Sequence, residues 1–186
     1  QTHQVLKAGQ YTLAGKSISL ETLDKSIQGT YKRTISLIRW LIEKIWPTFS
    51  SRGFNTKINV VDCDAIKMVV KLKEDGYNPA LLNPANAYNP GGGYKGGARA
   101  FEEEICRRSG LAFTIDPSHR KVHDFYPFRG AELVYSPEVP IFRHGKDEKY
   151  AYMDEQRFFK VKPTWIRYSD LASEPQVEFE LTIESK

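Results

Sequence analysis

The stretch from Leu82 to Leu111, LNPANAYNPGGGYKGGARAFEEEICRRSGL, decides how this chain is read. A short apolar segment runs into three consecutive glycines, Gly91, Gly92 and Gly93, and a short spacer later come Glu102, Glu103 and Glu104. Adjacent glycines let a backbone approach a ligand closely and take φ values closed to other residues, and they leave main-chain N–H groups for anionic oxygens. Acidic side chains a turn beyond can then act on whatever the loop holds. The combination points to nucleotide chemistry.

Working outward, Ala80 to Asn83 reads as the strand that delivers the loop, and a helix is expected from about Arg99 to Ser109. Upstream, Lys57 to Val61 reads as a strand ending in Asp62-Cys63-Asp64, followed by a helix to about Gly76 with Ile66, Val69, Val70 and Leu72 turned inward. The order strand, helix, strand, loop, helix predicts an α/β fold with a right-handed crossover, a largely parallel sheet and a ligand crevice at the carboxyl ends of its strands.

Residues 9–20, GQYTLAGKSISL, read as two short strands turning at Ala14-Gly15-Lys16. Residues 30–46 read as an amphipathic helix, because Ile35, Ile38, Leu41, Ile42 and Ile45 recur at helical steps until Pro47. After turn signals at Asp116-Pro117 and Tyr126-Pro127, a strand is expected at Glu132 to Ser136 and an extended segment at Val139 to Phe142. Residues 144–175 show no clear period and receive no assignment, whereas VEFELTI at 177–183 alternates like a half-buried strand.

With 186 residues, 40% of them hydrophobic, the chain fits a single domain spanning 1–186. The net charge of +4 favours anionic partners mildly, but no basic run is long enough to track a nucleic acid. Neither a membrane span nor a signal peptide is visible, and a monomer is expected. Cys63 and Cys106 fall inside expected elements, which favours free thiols in the cytoplasm or another reducing compartment, with export lacking a cleaved signal peptide left open. His119 and His123 are four apart, but Pro117 and polar surroundings read as surface, so no metal or other cofactor is expected.

The segment from Asp62 to Ser109 resembles the macrodomain fold and, within it, the microbial-type poly(ADP-ribose) glycohydrolases. The matching string is Asn83 at a strand end, Pro90-Gly91-Gly92-Gly93, Gly97-Ala98-Arg99-Ala100, then Phe101-Glu102-Glu103 with Arg107 and Ser109 following. The YSPEVPIFR stretch, residues 135–143, also looks like that family. The resemblance implies a three-layer, mixed but largely parallel sheet with helices on both faces. It implies binding of ADP-ribose and ADP-ribosylated protein, and hydrolysis of the glycosidic bond between ADP-ribose and the modified side chain.

Carried over by position, Glu103 matches the catalytic glutamate and Glu102 its neighbour. Asn83 and Asn86 match positions near the distal ribose, and Gly91, Gly92 and Gly93 the loop enclosing ribose and diphosphate. Gly97, Ala98 and Phe101 belong to the same ligand-binding string. Asp64 stands where macrodomains commonly place an acceptor for the adenine amino group. Independently, cleavage of such a glycosidic bond passes through an oxocarbenium-like state, which a carboxylate assists by stabilising charge, orienting water or moving a proton.

Two departures bear on the substrate. The family's glutamine is Phe101 here, which exchanges an amide for a stacking face. No glycine follows Gly145, whereas the family pattern continues into a second glycine-bearing loop. Either the domain is shortened with an open distal site or the chain is a fragment, and the VEFELTI strand favours the first. An open site favours mono-ADP-ribose over polymer, and the acidic run favours a cationic acceptor such as arginine. The alternatives are a non-catalytic ADP-ribose reader, a helix face on which Glu103 merely pairs with Arg107, asparagines that only cap turns, and an aromatic cluster of Phe125, Tyr126 and Phe128 that is simply core.

Overall fold

A computed structural model describes residues 1–34, 58–119, 124–129 and 132–164. Helix α1 (Thr2–Ala8) leads into a hairpin of β1 (Gln10–Leu13) and β2 (Lys16–Ser19). The two turn residues, Ala14 and Gly15, both have positive φ, 49° and 78°, the geometry that lets a two-residue turn follow the twist of its strands. This is the hairpin the sequence predicts. Helix α2 (Leu23–Gly29) follows, and then β3 (Tyr31–Thr34).

Strand β3 corrects the start of the helix expected over 30–46. Tyr-Lys-Arg-Thr precedes the first apolar residue of the helical period, and it pairs antiparallel with residues 132–135. The rest of that helix, residues 35–46, lies outside the described residues. The strand expected at 57–61 is also absent where it is described. Residues 58–61 are irregular, with Ile58, Val60 and Val61 largely exposed, so the crossover unit lacks its first strand there.

Helix α3 (Ala65–Glu74) forms as expected, with Ile66 and Val69 buried and Val70 and Leu72 partly so. Its N-cap is Asp64, whose Oδ1 accepts from the N–H groups of Ile66 and Lys67, both at 2.9 Å. That contact satisfies two of the donors a helix start leaves over. Strand β4 (Ala80–Pro84) comes next, then the glycine loop, a 3-10 turn at Tyr94–Gly96, α4 (Phe101–Arg108) and α5 (Leu111–Ile115). The two extended pieces expected at 132–142 are one strand, β5 (Glu132–Arg143), interrupted by an irregularity between Ser136 and Val139.

The main sheet has the order β3-β5-β6-β4, with β6 at Tyr152–Thr164. Strands β5 and β6 are antiparallel, as are β3 and β5, and only β4 with β6 is parallel. The expectation of a largely parallel sheet therefore fails among the described residues. The cause is β6, a central strand inside the segment left unassigned: it returns from β5 through a short turn, and this hairpin supplies the neighbour of β4. The strand expected at 177–183 lies outside the described residues.

The core lies where α4 and α5 meet this sheet. Ile105, Cys106, Leu111, Phe113 and Ile115 from the helices and Val134, Val139, Ile141 and Phe142 from β5 are 0–1% exposed. Burying side chains of this size contributes about 1.5–3 kcal/mol each, which fixes α4, with the buried Glu102 and Glu103 of its first turn, against the end of β4. None of the described helices is long and apolar enough to cross a membrane.

Candidate active site

The glycine loop folds back on the first turn of α4. Oε1 of Glu102 accepts from the N–H of Gly91 at 3.1 Å, and its Oε2 accepts from the N–H of Asn86 at 2.8 Å. Oε1 of Glu103 accepts from the N–H of Gly93 at 2.9 Å, while the N–H of Gly92 bonds the Asn89 carbonyl at 3.0 Å. The loop amides that sequence reasoning leaves for a ligand's anionic oxygens thus hold the protein's own carboxylates. Both acids are buried, Glu102 4% and Glu103 7% exposed, and among the described residues neither pairs with a lysine or arginine.

The glycines are required by this packing. Gly91 has φ 74°, and a Cβ there would lie 2.8 Å from the Tyr94 ring and 3.1 Å from Sγ of Cys106. A Cβ on Gly93 would meet Cβ of Ala98 at 2.9 Å. At both positions the obstacle is a neighbour already fixed by its own packing.

Three polar groups around these acids keep unused hydrogen-bonding capacity. Oε2 of Glu103, both amide atoms of Asn83 and the hydroxyl of Tyr126 are buried without a partner. Burial raises the Glu102 pKa, and the Glu103 charge adds to that. The N–H bonds from Asn86 and Gly91 oppose it, as does the Asn83 amide, which acts on Glu102 from outside good hydrogen-bond geometry. Burial also raises the Tyr126 phenol, with the Glu102 charge contributing. Buried polar atoms are nearly always satisfied, so a cluster left open is where a ligand or water fits.

The remaining candidates divide. Asn83 is fully buried at the end of β4, beside Glu102. Asn86 is exposed, and its Oδ1 closes the local turn by accepting from Tyr88 and Asn89 at 2.8 and 2.9 Å, so its backbone rather than its side chain meets Glu102. Ala98 donates to the Gly93 carbonyl at 3.2 Å, Gly97 ends the 3-10 turn with φ 85°, and Phe101 opens α4 at 37% exposure. Asp64 stands at the other end of α4. Besides capping α3, it holds Nη1 of Arg108 at 2.6 Å. Burial works against its charge, but the Lys67 and Ile66 N–H groups and the Arg108 guanidinium prevail and hold its pKa below the usual value.

Other expectations find definite partners. Arg107 pairs with Glu104 at 2.8 Å rather than with Glu103. Lys95, in the spacer after the glycine loop, pairs with Asp116 at 2.8 Å. His119 bonds the Tyr94 hydroxyl and His3 and stacks on Phe113, while His123 lies outside the described residues. Tyr126, weighed from sequence as a stacking face and read as core, is brought by its hydroxyl beside Glu102. The run Phe125-Tyr126-Pro127-Phe128 reads as core, and Phe125 and Phe128 are core; only the fold shows that the hydroxyl between them is left open beside Glu102.

The family model described as "Microbial-type PARG, catalytic domain" matches residues 1–144. The chain belongs to the microbial-type poly(ADP-ribose) glycohydrolase family. Among solved structures, the poly(ADP-ribose) glycohydrolase from Thermomonospora curvata superposes with a TM-score of 0.72 at 26% identity, over 95% of this chain and 65% of that one. The same enzyme bound to the inhibitor ADP-HPD gives 0.70 at 25% identity, over 95% and 64%. The glycohydrolase from Deinococcus radiodurans in complex with ADP-ribose gives 0.59 at 28% identity, over 80% and 59%. The chain therefore spans 65% or less of the length of these glycohydrolases. No curated protein matches it. The macrodomain-type α/β fold is that of the glycohydrolases, and the glycine loop, Glu102 and Glu103 fall within the matched residues.

Proposed function

We propose that this chain hydrolyses the glycosidic bond joining ADP-ribose to a protein side chain, with mono-ADP-ribose favoured over polymer and arginine a candidate acceptor. The observation that carries the reading is the buried, unpartnered Oε2 of Glu103, whose other oxygen is fixed by the N–H of Gly93. A carboxylate held by one oxygen presents the other in a defined direction, as proton transfer or stabilisation of an oxocarbenium-like centre requires.

In the proposed reaction, water adds to the anomeric carbon as the bond to the acceptor atom breaks. The leaving group gains a proton, and the water loses one by way of Glu103. Asn83 and the Tyr126 hydroxyl, both with capacity to spare, suit the sugar hydroxyls and the attacking water. The first turn of α4 has no side-chain cap at Ala100, which leaves donors and a partial positive charge for the diphosphate. For arginine, the support is that Glu102 and Glu103 lack a cationic partner among the described residues, so an incoming guanidinium meets acids not already neutralised.

The test is release of ADP-ribose from arginine-, glutamate- and serine-linked substrates and from polymer, by the native protein and by Glu103→Gln. Release by the native protein alone, with ADP-ribose still bound by the variant, supports the assignment. Binding without release makes the protein a reader. Release confined to glutamate or serine linkages discards arginine, and faster release from polymer discards the preference for mono-ADP-ribose.

A further inference from the structure

Resting on that proposed reaction, we infer that Arg107 is a positioning residue for Glu103 and that Tyr150 is the outer anchor of the same chain of contacts. The contacts run without a break. The Tyr150 hydroxyl donates to Oε1 of Glu104 at 2.9 Å, and Nη1 of Arg107 donates to that same oxygen at 2.8 Å. Nη2 of Arg107 donates to the Ala98 carbonyl. The Ala98 N–H reaches the Gly93 carbonyl at 3.2 Å, and the Gly93 N–H fixes Oε1 of Glu103 at 2.9 Å.

Each link restricts the next. Arg107 and Glu104 are 18% and 26% exposed, so their pair is partly withdrawn from water and stronger than a surface contact. The guanidinium joins two acceptors that lie apart, a carboxylate on α4 and a carbonyl in the spacer before it. A planar fork carries its donors on separate nitrogens in a fixed geometry, whereas those of lysine all sit on one. Ala98 is tied to Gly93 by that 3.2 Å bond and packs close against it, with no room between them for a Cβ on Gly93. At the outer end Tyr150 is itself held, with its N–H bonded to the Gly145 carbonyl at 3.0 Å and its φ at 55°. Tyr150 lies beyond residue 144, where the family match ends, so the network couples the turn after β5 to the glycine loop.

The variants that decide this are Arg107→Lys and Tyr150→Phe, which keep the charge and the ring. Hydrogen exchange over residues 91–98 is followed together with kcat and KM for ADP-ribose release. Exchange should rise at least threefold in both variants. In Arg107→Lys, kcat should fall about tenfold with KM changed less than twofold, because displacing a reacting group by a fraction of an ångström acts on the chemical step. Unchanged exchange overturns the inference whatever the activity, as does full activity in Arg107→Lys despite raised exchange. If the native protein releases nothing, the proposed reaction fails, and exchange alone then decides the positioning role.

Discussion

Glu103 occupies the space that a side chain at Gly92 would need. A Cβ built on Gly92 would lie 2.4 Å from Oε1 of Glu103, and the residue has φ 56°. The loop and the acid are therefore two halves of one packing arrangement. Gly92→Ala should lower stability by about 1–2 kcal/mol through the left-handed backbone alone. It should also displace Glu103, reducing ADP-ribose release about a hundredfold. Urea unfolding and steady-state kinetics on the same variant separate the two effects.

Glu103→Gln keeps the shape and one acceptor oxygen for the Gly93 N–H. Release of ADP-ribose should fall by roughly 10²–10⁴, the usual range for loss of a proton-transferring group. Affinity for ADP-ribose, measured by calorimetry, should stay within about threefold, since the change in RT ln Kd is then below about 0.7 kcal/mol.

Glu102 has its pKa raised by burial, with the Glu103 charge adding. Its favourable contribution to folding is fully present below the ordinary value of 4.5 and is lost as pH rises through the raised one. Glu102→Gln does not titrate, and its amide sets an NH₂ against one of the two backbone N–H groups. It should be less stable than the native protein by about 1–3 kcal/mol at pH 4, with the gap narrowing toward pH 7. A gap that widens with pH would show that the hydrogen bonds outweigh desolvation.

Asp64 has the opposite sign. With its pKa held below 3.8, its contribution is present above that pH and is lost as pH falls through the lowered value. Asp64→Asn preserves a helix cap but removes the counter-charge of Arg108, which is 2% exposed. At pH 7 the loss should be about 2 kcal/mol, less than for a fully buried pair because Asp64 keeps 35% of its side chain in water. Acid unfolding curves of the two proteins should converge below pH 3.8.

Cys106 is buried, and its thiol is pushed well up by burial, whereas Cys63 is exposed. Maleimide should modify one thiol per native chain, at Cys63, and the second only on unfolding. Rapid native labelling of Cys106 would mean that the glycine loop, against which its sulfur packs, opens readily.

What could be read from the sequence was its punctuation. Proline, three glycines and a return to helical spacing mark the β4-loop-α4 unit, and the hairpin turn at Ala14-Gly15 announces itself through the same conformational rules. What the loop binds could not be read, because glycine licenses a close approach without naming the approaching group; here it is Glu102 and Glu103. Strand β6 was hidden because Tyr-Met-Asp-Glu-Gln-Arg mixes charge and ring without alternation, so its place is set by its two neighbours, β5 just before it and β4 some eighty residues away. Tyr31–Thr34 was absorbed into the adjoining helical period because four residues carry too little pattern to oppose it.

The strand that carries Asn83 takes its hydrogen-bonded neighbour from Lys160 to Thr164, and it has no other partner among the described strands. The stretch that matches the family, residues 1–144, stops short of that neighbour. During synthesis, β4 therefore emerges without its partner among the described strands until some eighty further residues have left the ribosome. An expression boundary drawn at the family match would leave the same edge open to pairing between molecules.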